Sequence, residues 1–151
     1  MKVTDKTILK KITANCSLDT AWWKWTTHEG LITFFGKDNK IELTEGGCFE
    51  IYFLMENPIG LRGSEECKIL TFTPKEMISF TWNAPPEFKE VRESSHYTAV
   101  IVNFRAINVK QTEVSIRHLG WPKDKRWDPV FNYFNDAWEI VLKKFEQSCL
   151  N

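Results

Sequence analysis

The middle of the chain alternates apolar and polar residues, which predicts β-strands with one buried face. The alternation is clearest in residues 78–82, 98–106 and 114–118. Turn-forming residues, among them the pair Gly46 and Gly47, separate these segments from further candidate strands. We therefore expect a meander of antiparallel strands whose other face is solvated.

Further strands are predicted on either side of the Gly46-Gly47 turn. Residues 6–14 predict the first strand, and residues 40–44, 48–55 and 65–73 predict three more. Residues 83–95, which contain two adjacent prolines, form the longest predicted loop because proline cannot donate a hydrogen bond within a sheet.

Helical spacing replaces the alternation after the first strand. Ser17 or Asp19 can cap a helix there, since a short side-chain oxygen accepts from unpaired first-turn N–H groups. We expect this helix to end at Gly30 and a second short helical turn to cover residues 31–35.

The last segment predicts a long amphipathic helix, because its apolar residues recur every three or four positions. Asp128 before Pro129 is the expected N-cap. Lys143 and Lys144 are expected near the C-terminal end, where cations complement the helix dipole. The chain is therefore predicted to be an α+β protein in which a curved antiparallel sheet of about six to seven strands wraps the C-terminal helix.

Length, composition and charge exclude several classes of function. The 151 residues fit one domain over residues 1–151. Twenty basic residues balance twenty acidic ones, which argues against nucleic-acid binding. The longest apolar run, residues 51–55, is too short to span a membrane. The N-terminus lacks a secretory signal and the four cysteines contain no C-x-x-C pair, so a cytoplasmic protein with reduced thiols is expected.

Six segments carry a resemblance to a known family. They are residues 21–35, residues 46–49, Gly63 followed by Ile69-Leu70 and Pro74, residues 78–82, residues 112–118 and the pair Ala137-Trp138. In order and spacing they resemble START-like helix-grip proteins, the SRPBCC superfamily to which birch-pollen-allergen-like folds belong. Within it, the chain is most similar to the AHSA-like group, named after the C-terminal domain of the activator of the heat-shock-protein ATPase.

This resemblance implies a helix-grip fold with a cavity between the sheet and the C-terminal helix. It does not imply one activity, because members include ligand carriers, polyketide cyclases and chaperone-binding domains. No cofactor is implied.

Aromatic side chains from the strands and the last helix are the candidate cavity lining. A ring contributes large apolar area whether it lines a cavity or fills a core, so both alternatives stay open. The predicted ligand-binding residues are Phe53, Phe80, Trp82, Phe104, His118, Phe131, Phe134 and Trp138.

His118 is the weak catalytic candidate, because it shares the apolar face of its strand with Val114 and Ile116. A neutral imidazole there could act as an acid or base, or it could be a hydrogen-bonded core histidine. The spacing of His28, His96 and His118 does not favour a metal site.

Three functions follow as hypotheses. The leading one is a non-enzymatic protein that binds a small hydrophobic molecule in the cavity. The second is a chaperone-activator-like interaction module that uses its outer surface. The third is a polyketide cyclase- or hydrolase-like enzyme that uses His118. Either a monomer or a homodimer is compatible with the sequence.

Overall fold

Between residues 2 and 150, the part of the chain that the computed structural model describes, seven strands alternate with four α-helices. In chain order they are β1 (Ile8–Ala14), α1 (Leu18–Thr26), α2 (His28–Ile32), β2 (Asn39–Ile41), β3 (Phe49–Ile51), β4 (Ile69–Thr73), β5 (Met77–Trp82), α3 (Lys89–Arg92), β6 (Thr98–Asn108), β7 (Gln111–Leu119) and α4 (Asp128–Ser148). A short 3-10 turn, Lys125–Trp127, leads into α4.

The strands form the predicted curved antiparallel sheet. Its five-stranded part has the order β1-β7-β6-β5-β4, and β2 and β3 form a hairpin beside it. The bridge between Cys48 and Lys68 connects the hairpin to the edge at β4, together with a hydrogen bond from the N–H of Ile69 to the carbonyl of Gly47 at 2.8 Å. In the register of the central strands, His118 lies opposite both Ile8 and Val100. Strand β1 is therefore the edge strand of the sheet that lies beside β7.

Helix α4 packs its apolar face onto the concave side of the sheet, as its residue spacing predicts. Its buried residues are Val130, Phe134, Trp138, Leu142 and Phe145. Each large apolar side chain removed from water contributes about 1.5–3 kcal/mol, so this face is a main source of stability. No helix within residues 2–150 is both long enough and apolar enough to cross a membrane.

Gly30 does not end the first helix, which corrects the prediction. Helix α1 ends at Thr26, and the hydroxyl of Thr27 then caps α2 by accepting from the N–H of Gly30 at 2.9 Å. A Cβ atom on Gly30 would lie 2.3 Å from the carbonyl oxygen of Trp23 and 2.5 Å from the Cα atom of Lys24. The glycine is required because α2 crosses the backbone of α1 closely.

The predicted strand over residues 48–55 is also too long. Strand β3 ends at Ile51, because the N–H groups of Phe53 and Leu54 donate to the carbonyl of Arg62 at 2.8 and 2.9 Å and turn the chain back on itself. The strand predicted over residues 65–73 is likewise shortened to β4.

Three smaller predictions differ at the helices. The predicted loop 83–95 contains α3. Asp128 is the first residue of α4 rather than its N-cap, which is Trp127 at the end of the 3-10 turn. Helix α4 runs on to Ser148, so Lys143 and Lys144 lie before its last turn.

Candidate functional site

His118 sits at the centre of the grip and both of its ring nitrogens have partners. It is fully buried on the inner face of β7. The indole Nε1 of Trp138 donates to Nδ1 of His118 at 2.9 Å. Because an indole N–H can only donate, Nδ1 carries no proton and the proton belongs on Nε2. That Nε2 donates to Oγ1 of Thr98 at 2.6 Å, and the Thr98 hydroxyl donates to the carbonyl of Trp82 at 3.2 Å.

This arrangement holds the imidazole neutral. Burial lowers the pKa of His118 to about 3, because the charged form would lose its hydration without gaining a counter-ion. With both nitrogens occupied by Trp138 and Thr98, neither faces a substrate. Across residues 2–150, no three His, Cys, Asp or Glu side chains converge as metal ligands would. The hydrogen bonds of His118 therefore connect its own strand, β7, to α4 and to β6.

Part of the predicted cavity lining does come together. The ring centroids of Trp82 and Trp138 are 5.6 Å apart, those of Phe80 and Trp82 are 5.4 Å apart, and those of Phe134 and Trp138 are 6.2 Å apart. Phe49 stacks on Phe80 at 4.1 Å. Rings from the sheet and from α4 therefore touch one another across the space in which a ligand was expected.

The other predicted lining residues lie elsewhere. Phe104 packs against Trp22 of α1, with ring centroids 5.3 Å apart. Phe131 packs against Trp121, with ring centroids 5.1 Å apart. The side chain of Phe53 is 53% exposed, beyond the end of β3. These three residues do not join the group around Trp138.

A cavity of about 410 Å³ opens between the C-terminal end of α4 and the segment that follows α2. Its lining residues are Ile32, Thr33, Phe34, Phe35, Gly36, Lys37, Lys144, Gln147 and Ser148. Within residues 2–150, Lys37 and Lys144 make no ion pair. The cavity thus combines buried aromatic rings with two cationic side chains.

Trp25 lies behind this cavity and carries a buried donor that finds no protein acceptor. Its ring centroid is 4.9 Å from that of Phe34 and 5.7 Å from that of Phe35. The Nε1–H group is the buried side-chain donor or acceptor that lacks a hydrogen-bond partner within the described residues. The sequence places Trp25 on the buried face of a helix, but it gives no sign that the indole N–H would be left unpaired.

An exposed apolar segment follows β3, and we call residues 53–61 the apolar loop. Ile59 at its tip is 84% exposed. The exposed large hydrophobic residues of the loop are Phe53, Leu54, Met55, Ile59 and Leu61. The strand predicted over residues 48–55 includes the first three of them, because an apolar run does not reveal whether it is buried.

The apolar loop is held in place by Glu65 and Arg92, whose side chains are largely buried. The Glu65 carboxylate accepts from the backbone N–H groups of Gly60, Arg62 and Gly63 at 2.6, 2.9 and 2.7 Å. Arg92 donates to the carbonyls of Gly60 and Gly63 at 2.7 and 2.9 Å and lies 3.3 Å from Glu65. Burial raises the pKa of Glu65, but the backbone donors outweigh burial and leave its pKa below the ordinary value.

A second cavity, of about 250 Å³, lies beside this loop. Its lining residues are Gly60, Leu61, Glu65, Glu66, Asn83, Pro86, Lys89, Arg92, Glu93 and Tyr97. An exposed apolar tip next to a small polar cavity is the kind of surface that protein interfaces use for an anchoring side chain.

Solved structures share this architecture at low sequence identity. Protein MLL2253 from Mesorhizobium loti superposes with a TM-score of 0.74 at 15% identity, over 95% of this chain and 96% of that one. The Aha1 dimer from Colwellia psychrerythraea superposes with a TM-score of 0.71 at 16% identity, over 95% and 96%. PFC0360w, an HSP90 activator from Plasmodium falciparum, superposes with a TM-score of 0.69 at 15% identity, over 93% of each chain.

Sequence comparison supplies the family. No curated protein matches the chain. The family model described as activator of Hsp90 ATPase homolog 1-like protein matches residues 15–149, which is nearly the whole sequence. The curved sheet around α4 is consistent with this match. The chain belongs to the activator of Hsp90 ATPase homolog 1-like family.

Proposed function

We propose that this protein is an interaction module that binds an Hsp90-type chaperone through the apolar loop. The main observation behind this proposal is that large hydrophobic side chains are exposed on this loop, while aromatic rings occupy the space between the sheet and α4. Exposed apolar patches mark interaction surfaces, since their exposure costs free energy that binding recovers. The family to which the chain belongs supplies the class of partner.

The loop is suited to recognition because it is already ordered. Glu65 and Arg92, whose side chains are largely buried, fix the backbone at Gly60 and Gly63 through hydrogen bonds. Binding therefore costs little backbone entropy, and more of the apolar burial contributes to affinity. The cavity beside Leu61 offers a place for one polar side chain of the chaperone.

Two proteins of similar structure support the choice of partner. One is called an HSP90 activator and the other an Aha1 dimer, and each matches this chain over more than nine-tenths of its length. A cytoplasmic location, which the cysteine pattern predicts, is part of the same proposal.

The test is the affinity of the purified protein for an Hsp90 chaperone, measured by calorimetry on the wild type and two variants. Ile59→Ser removes the apolar tip of the loop and is expected to weaken binding at least about tenfold. Val109→Ser is the matched control, because Val109 is also 84% exposed but lies in the turn between β6 and β7. It should bind like the wild type.

Three results would overturn the proposal. One is a wild-type protein that does not bind the chaperone, and another is a pair of variants that bind equally well. The third is a wild-type dimer that Ile59→Ser converts to a monomer without any chaperone binding, which would assign the loop to self-association.

A second candidate function is the binding of a small hydrophobic molecule. The observation that favours it is the Nε1–H group of Trp25, which has no partner within the described residues and lies behind the rings of Phe34 and Phe35. A ligand that enters past these rings could supply the missing acceptor, and Lys37 or Lys144 could pair with an anionic group on it. Native mass spectrometry of freshly purified protein tests this function. A bound mass that is lost on denaturation and reduced in Trp25→Phe would support it, and a bare mass would count against it.

A further inference from the structure

Cys16 and Cys149 bring two thiols together from opposite ends of the fold. Cys16 lies between β1 and α1, and Cys149 caps the C-terminal end of α4. Their Sγ atoms are 3.0 Å apart although 133 positions separate the residues. This distance is about 1 Å longer than the S–S bond of a disulfide, which is about 2.05 Å. Both cysteines are free thiols in this structure.

The two thiols differ in their surroundings. Cys16 is 8% exposed, whereas Cys149 is partly exposed and can be reached from solvent. Lys24 is 6% exposed, and its ammonium donates to the Thr33 hydroxyl at 3.1 Å and makes no ion pair within residues 2–150. A buried cation near a thiol favours the thiolate, which is the reactive form.

The charge state of the pair follows from these contacts. Contact with the Cys16 sulfur is the main reason that the pKa of Cys149 falls to about 7; burial opposes this effect and Lys24 adds to it. The same contact with Cys149, together with burial, raises the pKa of Cys16. Cys149 is therefore the more readily ionised thiol of the pair, and it is also the more exposed one.

We propose that Cys149 and Cys16 are a modification site that forms a reversible intramolecular disulfide when the protein meets a peroxide. The Cys149 thiolate attacks one peroxide oxygen, the O–O bond breaks, and the released hydroxide takes up a proton to give water. Cys149 is now a sulfenic acid. The Cys16 sulfur attacks the Cys149 sulfur, the S–O bond breaks, and the Cys16 proton leaves with the hydroxide as a second water. The two thiols are oxidised by two electrons and the peroxide is reduced by two.

The disulfide would tie the start of α1 to the end of α4. Cross-linking residues this far apart in sequence restricts the unfolded chain strongly, so the oxidised protein is expected to melt about 10 °C higher than the reduced one. The bond would also fix one wall of the larger cavity, because Ser148 lines it next to Cys149. This inference is independent of the proposed chaperone binding.

The other two cysteines provide the comparison within the same chain. Cys67 is fully buried, and burial raises its pKa, which makes it unreactive. Cys48 is partly exposed but makes no sulfur contact within the described residues. Both should stay reduced.

The test treats the purified wild-type protein with a stoichiometric amount of hydrogen peroxide, then alkylates it under denaturing conditions and maps the peptides. Of the four free thiols, two should remain alkylatable, and one disulfide peptide should join Cys16 to Cys149. Dithiothreitol should reverse the change. Cys48→Ser should behave like the wild type, and Cys16→Ser should stop at a sulfenic acid that dimedone traps on Cys149.

Either of two outcomes would overturn the inference. In one, all four thiols remain alkylatable after peroxide treatment at a concentration that oxidises a reference dithiol peptide. In the other, oxidation yields only intermolecular dimers or a bond that involves Cys48 or Cys67. Because the wild-type peptide map decides between these results, the test does not depend on the folding of any variant.

Discussion

At the scale of single residues, the contacts of His118 decide whether the centre of the fold is a reactive site or a packed core. The sequence permits an acid or base in a cavity and equally a histidine in the core. The structure provides a donor for Nδ1 and an acceptor for Nε2, from Trp138 and Thr98. No pattern in one sequence could reveal these partners, because they come from β6 and α4.

The buried neutral imidazole makes stability depend on pH. The unfolded chain protonates His118 below about pH 6.5, whereas the folded chain keeps it neutral down to about pH 3. The stability that this group contributes is therefore complete above about pH 6.5 and is lost as the pH falls toward 3. Between about pH 7.5 and about pH 5, the free energy of unfolding should decrease by about 2 kcal/mol because of His118 alone.

Urea unfolding of the wild type and of His118→Gln at the two pH values measures this contribution. Glutamine can accept from Trp138 and donate to Thr98, but it does not titrate. The decrease between the two pH values should be smaller in the variant by about 2 kcal/mol. An equal decrease in both proteins would show that His118 is not held neutral.

At the scale of elements, the crossing of α1 and α2 depends on Gly30. Alanine is favoured over glycine within a helix by about 1 kcal/mol, so an unobstructed Gly30→Ala change would stabilise the protein. The added Cβ would instead meet backbone atoms of Trp23 and Lys24 at 2.3 and 2.5 Å, which cannot move aside as a flexible side chain would.

We therefore expect Gly30→Ala to lower the free energy of unfolding by about 2 to 3 kcal/mol in a denaturant titration. Glu29→Ala, at an exposed position of the same helix, is the control and should change it by less than about 0.5 kcal/mol. A Gly30→Ala protein that is more stable than the wild type would contradict this account of the crossing.

Elements with a long regular period were predictable and those set by tertiary contacts were not. The alternation of residues 98–106 and the spacing of α4 locate β6 and α4, because one face of each is buried along its whole length. Gly30 was misassigned because a glycine needed for a close crossing looks like a helix stop. Residues 53–55 were assigned to a strand because the hydrogen bonds to Arg62 and Glu65 that turn the chain there leave no mark in an apolar run.

The same distinction applies to the predicted lining residues. Phe80, Trp82, Phe134 and Trp138 meet because they lie on facing surfaces of two regular elements. Phe53 follows the end of β3, where the alternation no longer applies, and it is exposed instead. Residue parity predicts which side chains point inward, but it cannot predict whether they leave a cavity between them.

At the scale of the whole molecule, aromatic contacts occupy the interior and exposed apolar side chains stand on the outer surface. Trp82 and Trp138 touch across the grip, while Ile59 stands on a loop that Glu65 and Arg92 hold in place. A protein organised in this way is expected to act through contact with a partner. That expectation is the central claim of the proposed function.

The most direct test of binding through the apolar loop is an NMR titration. Unlabelled Hsp90 chaperone is added to ¹⁵N-labelled protein, and the amide signals are followed. The account predicts changes concentrated in the apolar loop and in the neighbouring amides of Lys89 and Arg92, with the signals of β7 unaffected. Changes confined to the cavity beside Phe34 and Lys144, or no changes at a saturating amount of chaperone, would contradict it.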